Sequence, residues 1–134
     1  MVELSIKVVV KGRASGRLLK SDFPLSFLGG IDPETGTILD QAHPLFGKNV
    51  RNGVLAIPFS KGSTVGSYVI YSMKKAGTAP AAILSRQMDM IMATGCVLAK
   101  IPLVMIGEEI WNGLDDGDLV EVDADIGSLK KLAN

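Results

Sequence analysis

Hydrophobic and polar positions run in two rhythms along this chain, and the rhythm changes near residue 54. Residues 3–11 alternate and close on Val8-Val9-Val10, which predicts a strand. Gly12 to Gly16 reads as a turn. Between residues 17 and 28 the apolar pieces Leu18-Leu19, Phe23, Leu25 and Phe27-Leu28 are broken by Pro24, predicting strand pieces rather than a helix. Gly29 to Gly36 is dense in turn formers, and residues 40–53 continue as loop around His43-Pro44 and Gly47.

From Val54 onward, short apolar runs alternate with helical spacing. Val54-Leu55-Ala56-Ile57 reads as a buried strand over 54–58. A helix over about 64–76 follows, with Val65, Tyr68, Val69, Met73 and Ala76 spaced onto one face and Gly77 at its C-terminal stop. Strand 81–84, a short helix over about 87–94 ending at Gly95, strand 103–106 and a helical turn at 108–112 come next. Asp115-Asp116-Gly117 signals a turn before strand 119–123. The strand–helix–strand–helix–strand order in 54–106 implies parallel strands with right-handed crossovers, flanked by an antiparallel or barrel-like layer. The fold class is therefore α/β. Residues 1–134 read as one domain, without repeats, low-complexity stretches or a linker.

Composition narrows the classes of function. Hydrophobic residues make up 47% and charged residues 21%, as in a packed globule rather than a disordered chain. Lys+Arg and Asp+Glu balance at 14 each, so no global field recruits nucleic acid or an anionic membrane. The N-terminus lacks the apolar core of a signal peptide, and no apolar run approaches the ~18 residues of a membrane span. The expected location is cytoplasmic. Cys96 is alone, which excludes an internal disulfide and a cysteine-ligated cluster within this chain, and it reads as a buried small hydrophobe.

Candidate chemistry gathers in Phe59-Ser60-Lys61-Gly62-Ser63-Thr64-Val65-Gly66-Ser67, between strand 54–58 and the next helix. Gly62 permits a sharp turn, and Ser63 or Thr64 can cap the helix, leaving free N–H groups at its positive end. That arrangement is an anion site with a hydroxyl in its mouth. It is not a Walker loop, because the lysine precedes the glycine, and it is not a nucleophile elbow, because nothing separates Gly62 from Ser63. From residue chemistry alone, Ser63 is either a helix cap or a reactive group.

Other residues carry weaker signals. Arg86 ends a strand, where ligand sites of open α/β sheets collect, and can hold a carboxylate or phosphate or simply face solvent. His43 is the only histidine; it reads as a loop residue stiffened by Pro44, and a serine hydrolase would have to use it. Asp32, Glu34 and Asp40 read as solvated loop acids, the alternatives being an acid–base pair or a hard-cation site. Gly29-Gly30 reads as a turn or as a place for backbone to approach a ligand or partner. Met88 and Met92 share a helix face and read as core.

Several segments in order carry a family resemblance: Gly29-Gly30-Ile31-Asp32-Pro33-Glu34-Thr35-Gly36, Asp40-Gln41-Ala42-His43-Pro44-Leu45, and Gly53-Val54-Leu55 leading to Lys61-Gly62-Ser63-Thr64-Val65-Gly66-Ser67. Ala79-Pro80-Ala81-Ala82-Ile83-Leu84 and Ala93-Thr94-Gly95 extend it over nearly the whole chain. The chain resembles the small subunit of the aconitase X family. The resemblance implies a swivelling β/β/α domain like the mobile domain of aconitase. It also implies a heterodimer with a large subunit that binds a [4Fe-4S] cluster and most of the substrate. Members dehydrate 5-phosphomevalonate, in an isoprenoid-forming variant of the mevalonate pathway, or hydroxyproline. In this family a Gly-Ser-Ser/Thr loop supplies the serine that takes the substrate proton. Gly62-Ser63-Thr64 matches it, so by this resemblance Ser63 is the expected proton acceptor; its neighbours Gly62 and Thr64, and Arg86 from its place at a strand end, are the expected substrate-binding residues. Competing expectations are a non-catalytic anion-binding or regulatory module and a hydrolase using His43.

Overall fold

A computed structural model describes residues 6–132, so the expected alternation at residues 3–5 lies outside the described residues. Its centre is three parallel strands, β3 (Val54–Ala56), β4 (Ala82–Ser85) and β5 (Leu103–Ile106). Both of their faces are buried. Val54, Ala56, Ala82, Leu84, Val104 and Ile106 enter one core, whereas Leu55, Ile83 and Leu103 enter the other. A strand covered on both sides has no polar face, which is why these segments are continuous apolar runs. With β1 (Ile6–Val10), β2 (Arg13–Lys20), β6 (Leu119–Asp123) and β7 (Ser128–Lys131), they form one sheet in the order β1-β5-β4-β3-β2-β6-β7.

The eight-residue β2 makes the sheet curl. Its last residues, Leu18–Lys20, pair parallel with β3, and its first, Arg13–Arg17, pair antiparallel with β6. Val120 and Val122 of β6 thereby reach the same core as Val104 and Ile106. The turn expected from Gly12 to Gly16 is corrected: Arg13 to Gly16 are strand. Gly16 serves a close approach instead, since a Cβ there would lie 2.7 Å from the Asn52 carbonyl oxygen. The remaining apolar pieces of 17–28 split between β2, an isolated parallel bridge from Leu25 to Ser60, and a single turn, α1 (Phe27–Gly30), interrupted by non-helical Leu28 and Gly29. The 31–53 loop is turns and bridges, but its Ile31, Ile38, Leu45 and Val50 are buried and plug the core.

Two helices cover the other face, α2 (Gly66–Ala76) and α3 (Met90–Ala99). Gly77 ends α2 in the left-handed conformation at φ 77°, as expected. The buried face differs from the expected one. Gly66, Ser67, Ile70 and Met73 face inward, whereas Val65, Tyr68 and Ala76 are exposed and Val69 is half-buried. The cause is α3. It does not stop at Gly95 but runs to Ala99, and Gly95 lies in its middle so that α2 can pack closely. A Cβ on Gly95 would sit 2.7 Å from Ile70 Cδ1 and 3.1 Å from the Ser67 carbonyl oxygen. Small residues at this crossing outrank the larger apolar ones in deciding which face is covered. Met92 is core as expected, but Met88 precedes the helix and is 59% exposed. A short helix, α4 (Glu108–Asn112), follows β5, and the hairpin strand β7 is an addition to the expected elements.

Candidate active site

The loops leaving β3 and β4 run side by side at the C-terminal edge of the sheet. The Arg86 and Gln87 N–H groups both donate to the Pro58 carbonyl at 3.1 Å, and the Lys61 N–H donates to Leu25. Gly62 turns the chain at φ 90°, against Ser26; Gly62, Ser63 and Thr64 are all exposed. The Ser63 Oγ accepts a hydrogen bond from the Val65 N–H at 3.1 Å. The Gly66 N–H donates to the Ser63 carbonyl and the Ser67 N–H to the Thr64 carbonyl. The expectation of free N–H groups at the start of α2 is therefore corrected: its Gly66 and Ser67 N–H groups are satisfied by the Ser63 and Thr64 carbonyls, and the Ser63 hydroxyl lies at the surface beside exposed Gly62 and Thr64.

A carboxylate absent from the sequence reasoning fastens this loop. Asp89 caps α3, its Oδ1 accepting from the Ile91 N–H at 2.9 Å and the Met92 N–H at 3.3 Å. Its Oδ2 accepts from the Ser60 N–H and, at 2.5 Å, from the Ser60 hydroxyl. The available signal was an aspartate immediately before a long apolar helical run, a helix-start pattern.

Arg86 does not touch Ser63. Its guanidinium lies 5.6 Å from the centroid of the Trp111 ring and, among the described residues, pairs with no carboxylate. Trp111 is itself clamped. Its indole N–H donates to Asp22 at 2.9 Å, and the Lys20 ammonium sits over the ring while donating to the Trp111 and Leu114 carbonyls at 2.7 Å each. Arg86 also borders a shallow pocket of about 170 Å³ with Lys7 and Gly107. Near the loop, Thr64, Val65, Tyr68, Met90 and Ile91 line an apolar cavity of about 290 Å³ between the ends of α2 and α3.

The remaining candidates hold structure. His43 is buried, its Nδ1 accepting from the Leu45 N–H at 3.1 Å and its Nε2 facing the Phe23 carbonyl at 3.2 Å, so both ring nitrogens are used and neither meets Ser63. Asp32 and Asp40 close turns by accepting from the Glu34 and Ala42 N–H groups. Gly29 stands in the left-handed region with open space beside it, in the α1 turn. Cys96 is buried, and burial with the nearby Asp89 charge pushes its thiol up to about 12. Among the described residues no group of three His, Cys, Asp or Glu side chains could hold a metal ion, and with one cysteine in the whole chain an iron–sulfur cluster does not fit here. No helix among the described residues is long and apolar enough to cross a membrane.

Residues 3–131 match the aconitase X swivel domain family. The phosphomevalonate dehydratase small subunit of Methanothermobacter thermautotrophicus is 49% identical over 130 residues, 96% of this chain and 99% of that protein. That of Thermococcus gammatolerans is 45% identical over 98% of both chains. The fold superposes on the crystal structure of Thermococcus kodakaraensis aconitase X in its holo-form with a TM-score of 0.90, at 42% identity over 97% of this chain and 98% of the other. A curled β/β/α fold that aligns in sequence and shape along almost its whole length makes this chain a member of the aconitase X swivel domain family.

Proposed function

We propose that this chain is the small subunit of a two-subunit hydro-lyase that removes water from (R)-5-phosphomevalonate, giving trans-anhydromevalonate 5-phosphate for isoprenoid synthesis. The observation that carries this is the near full-length identity, 39–49%, to small subunits of that name in archaea. The partner is a large subunit, and a [4Fe-4S] cluster resides there, where it supplies Lewis acidity toward a hydroxyl. A lone, buried thiol suits the reducing cytoplasm as the site of action.

In this reading the Ser63 Oγ alkoxide takes the proton from C2 as the C2–C3 double bond forms and the C3–O bond breaks, and the departing hydroxide becomes water by taking a proton from an acid of the large subunit. A proton beside a carboxylate is weakly acidic, so the base has to be an alkoxide. Ionising a serine near neutral pH means lowering its pKa by about five units, or about 7 kcal/mol. The Val65 N–H that already donates to Oγ contributes about 1.5–3 kcal/mol once the acceptor is charged. The N-terminus of α2 adds about 0.3–2 kcal/mol. Together these fall short, so a cation is needed. Arg86 is held on Trp111, and Lys61 reaches solvent from an exposed loop position. We assign the missing charge to the large subunit. Gly62 and Thr64 shape the substrate's approach to Ser63, and Arg86 waits at the neighbouring strand end for an anionic group.

The test is co-expression with the large subunit from the same genome, anaerobic cluster reconstitution, and assays with (R)-5-phosphomevalonate and hydroxyproline. Dehydration of phosphomevalonate by the complex, and none by the isolated chain, is expected. Turnover of hydroxyproline alone would reassign the substrate, and turnover by this chain without its partner would overturn the split site. Ser63→Ala removes most turnover while lowering stability by about 1 kcal/mol, the worth of the lost turn bond. Near-normal turnover would return Ser63 to a capping role.

A further inference from the structure

We infer that Asp89 is a positioning residue for the serine loop, acting through Ser60 to hold Ser63 in its productive place; this rests on Ser63 being the proton acceptor. Each oxygen of this carboxylate does a different job. Oδ1 binds the first N–H groups of α3, and Oδ2 binds the backbone N–H and the hydroxyl of Ser60, three residues before Ser63. A helix cap needs only the two donors of α3, and the two from Ser60 come in addition to them.

Between Ser60 and Ser63 the chain has little else to fix it. Lys61 and Gly62 are exposed, the Lys61 N–H donates to Leu25, and Gly62 abuts Ser26. Ser60 is 7% exposed and is the last buried residue before the turn, so the Asp89 clamp fixes the upstream end of the loop to α3, as the Ser63 and Thr64 carbonyls fix its downstream end to α2. Charge-assisted bonds to an ionised carboxylate are shorter and stronger than neutral ones, and a cluster of them fixes position as well as energy. Oδ2 bonds Ser60 rather than Ser63, so Asp89 acts on Ser63 by geometry. A shift of about 1 Å in a base can cost on the order of a hundredfold in rate.

Asparagine separates the two jobs. In Asp89→Asn the side-chain oxygen still caps α3, because asparagine caps as well as aspartate, but an NH2 group now faces the Ser60 N–H. In the assembled two-subunit enzyme we expect Asp89→Asn to lower kcat about ten- to a hundredfold with KM changed less than about threefold. Ser60→Ala, which leaves the cap untouched and deletes one bond, lowers kcat by a smaller factor and covers the case in which Asp89→Asn does not fold. The double variant Ser63→Ala/Asp89→Asn should be no slower than Ser63→Ala alone, since Asp89 acts only through the serine.

A purely structural Asp89 would lower Tm and leave kcat per folded enzyme within about threefold in both Asp89→Asn and Ser60→Ala, which would overturn the inference. The outcomes stay distinct from failure of the underlying mechanism. Ser63→Ala with normal turnover refutes the base, whereas inactive Ser63→Ala beside fully active Asp89→Asn and Ser60→Ala refutes only the clamp.

Discussion

Gly62→Ala tests the turn that presents Ser63. Gly62 stands at φ 90°, where an L residue costs about 1–2 kcal/mol. The added Cβ would also meet Ser26 Oγ at 2.7 Å and Ser26 Cβ at 3.4 Å. The hydroxyl cannot simply rotate away, because it donates to the Leu28 carbonyl at 2.8 Å, a bond worth about 0.5–1.5 kcal/mol. The expected loss is about 2–3 kcal/mol, or about 10 °C in Tm for a domain of this size. Thermal melts of the isolated chain give the stability, and kcat of the complex should fall more than about tenfold as the loop moves. Ser26→Ala in the same chain removes the obstructing oxygen, so the double variant should be more stable than the sum of the single losses predicts. A Gly62→Ala protein with unchanged Tm and kcat would refute the claim that this glycine is required by conformation and contact.

Three further outcomes are expected. Gly95→Ala gains about 1 kcal/mol in helix propensity but crowds Ile70 and the Ser67 carbonyl, an overpacking cost of about 1–3 kcal/mol. Its urea midpoint should therefore fall, and a rise would mean that α2 slides aside freely. Cys96, its thiol pushed up to about 12, should resist iodoacetamide near pH 8 in the native chain and react fully on unfolding; rapid native labelling would contradict its burial. The Asp118 carboxyl is held below its usual range first by the Asp115 N–H and then by Lys131. A depressed pKa contributes stability that is present above the unfolded value and lost as pH falls through the folded one. Asp118→Asn should accordingly melt below the wild type at neutral pH and converge with it in acid, and a gap that persists in acid would count against this origin.

The exposed serine turn was legible because local rules govern it. A strand, a left-handed glycine, a hydroxyl and a helix must make a tight exposed turn, and Gly62-Ser63-Thr64 does so wherever the rest of the chain goes. The three parallel strands were equally legible, because burial on both faces leaves an unbroken apolar run that no solvent-facing strand would carry. Gly77 marked its helix end for the same local reason, the cost of a left-handed Cβ.

What the sequence by itself could not determine depends on contacts between distant segments. Gly16 and Gly95 look like turn residues until Asn52 and Ile70 pass within reach of the missing Cβ, and then they are seen to sit inside a strand and a helix. The covered face of α2 follows from where α3 crosses it, so Tyr68 and Val65 are left outside despite their apolarity. The hydrogen bond from Ser60 to Asp89 spans 29 residues, and the stacking of Arg86 on Trp111 joins the end of β4 to α4. Periodicity reports which residues avoid water; it carries no information on which partner excludes the water. Local backbone chemistry therefore determined that Ser63 would be presented, and only the tertiary structure decided what holds it there.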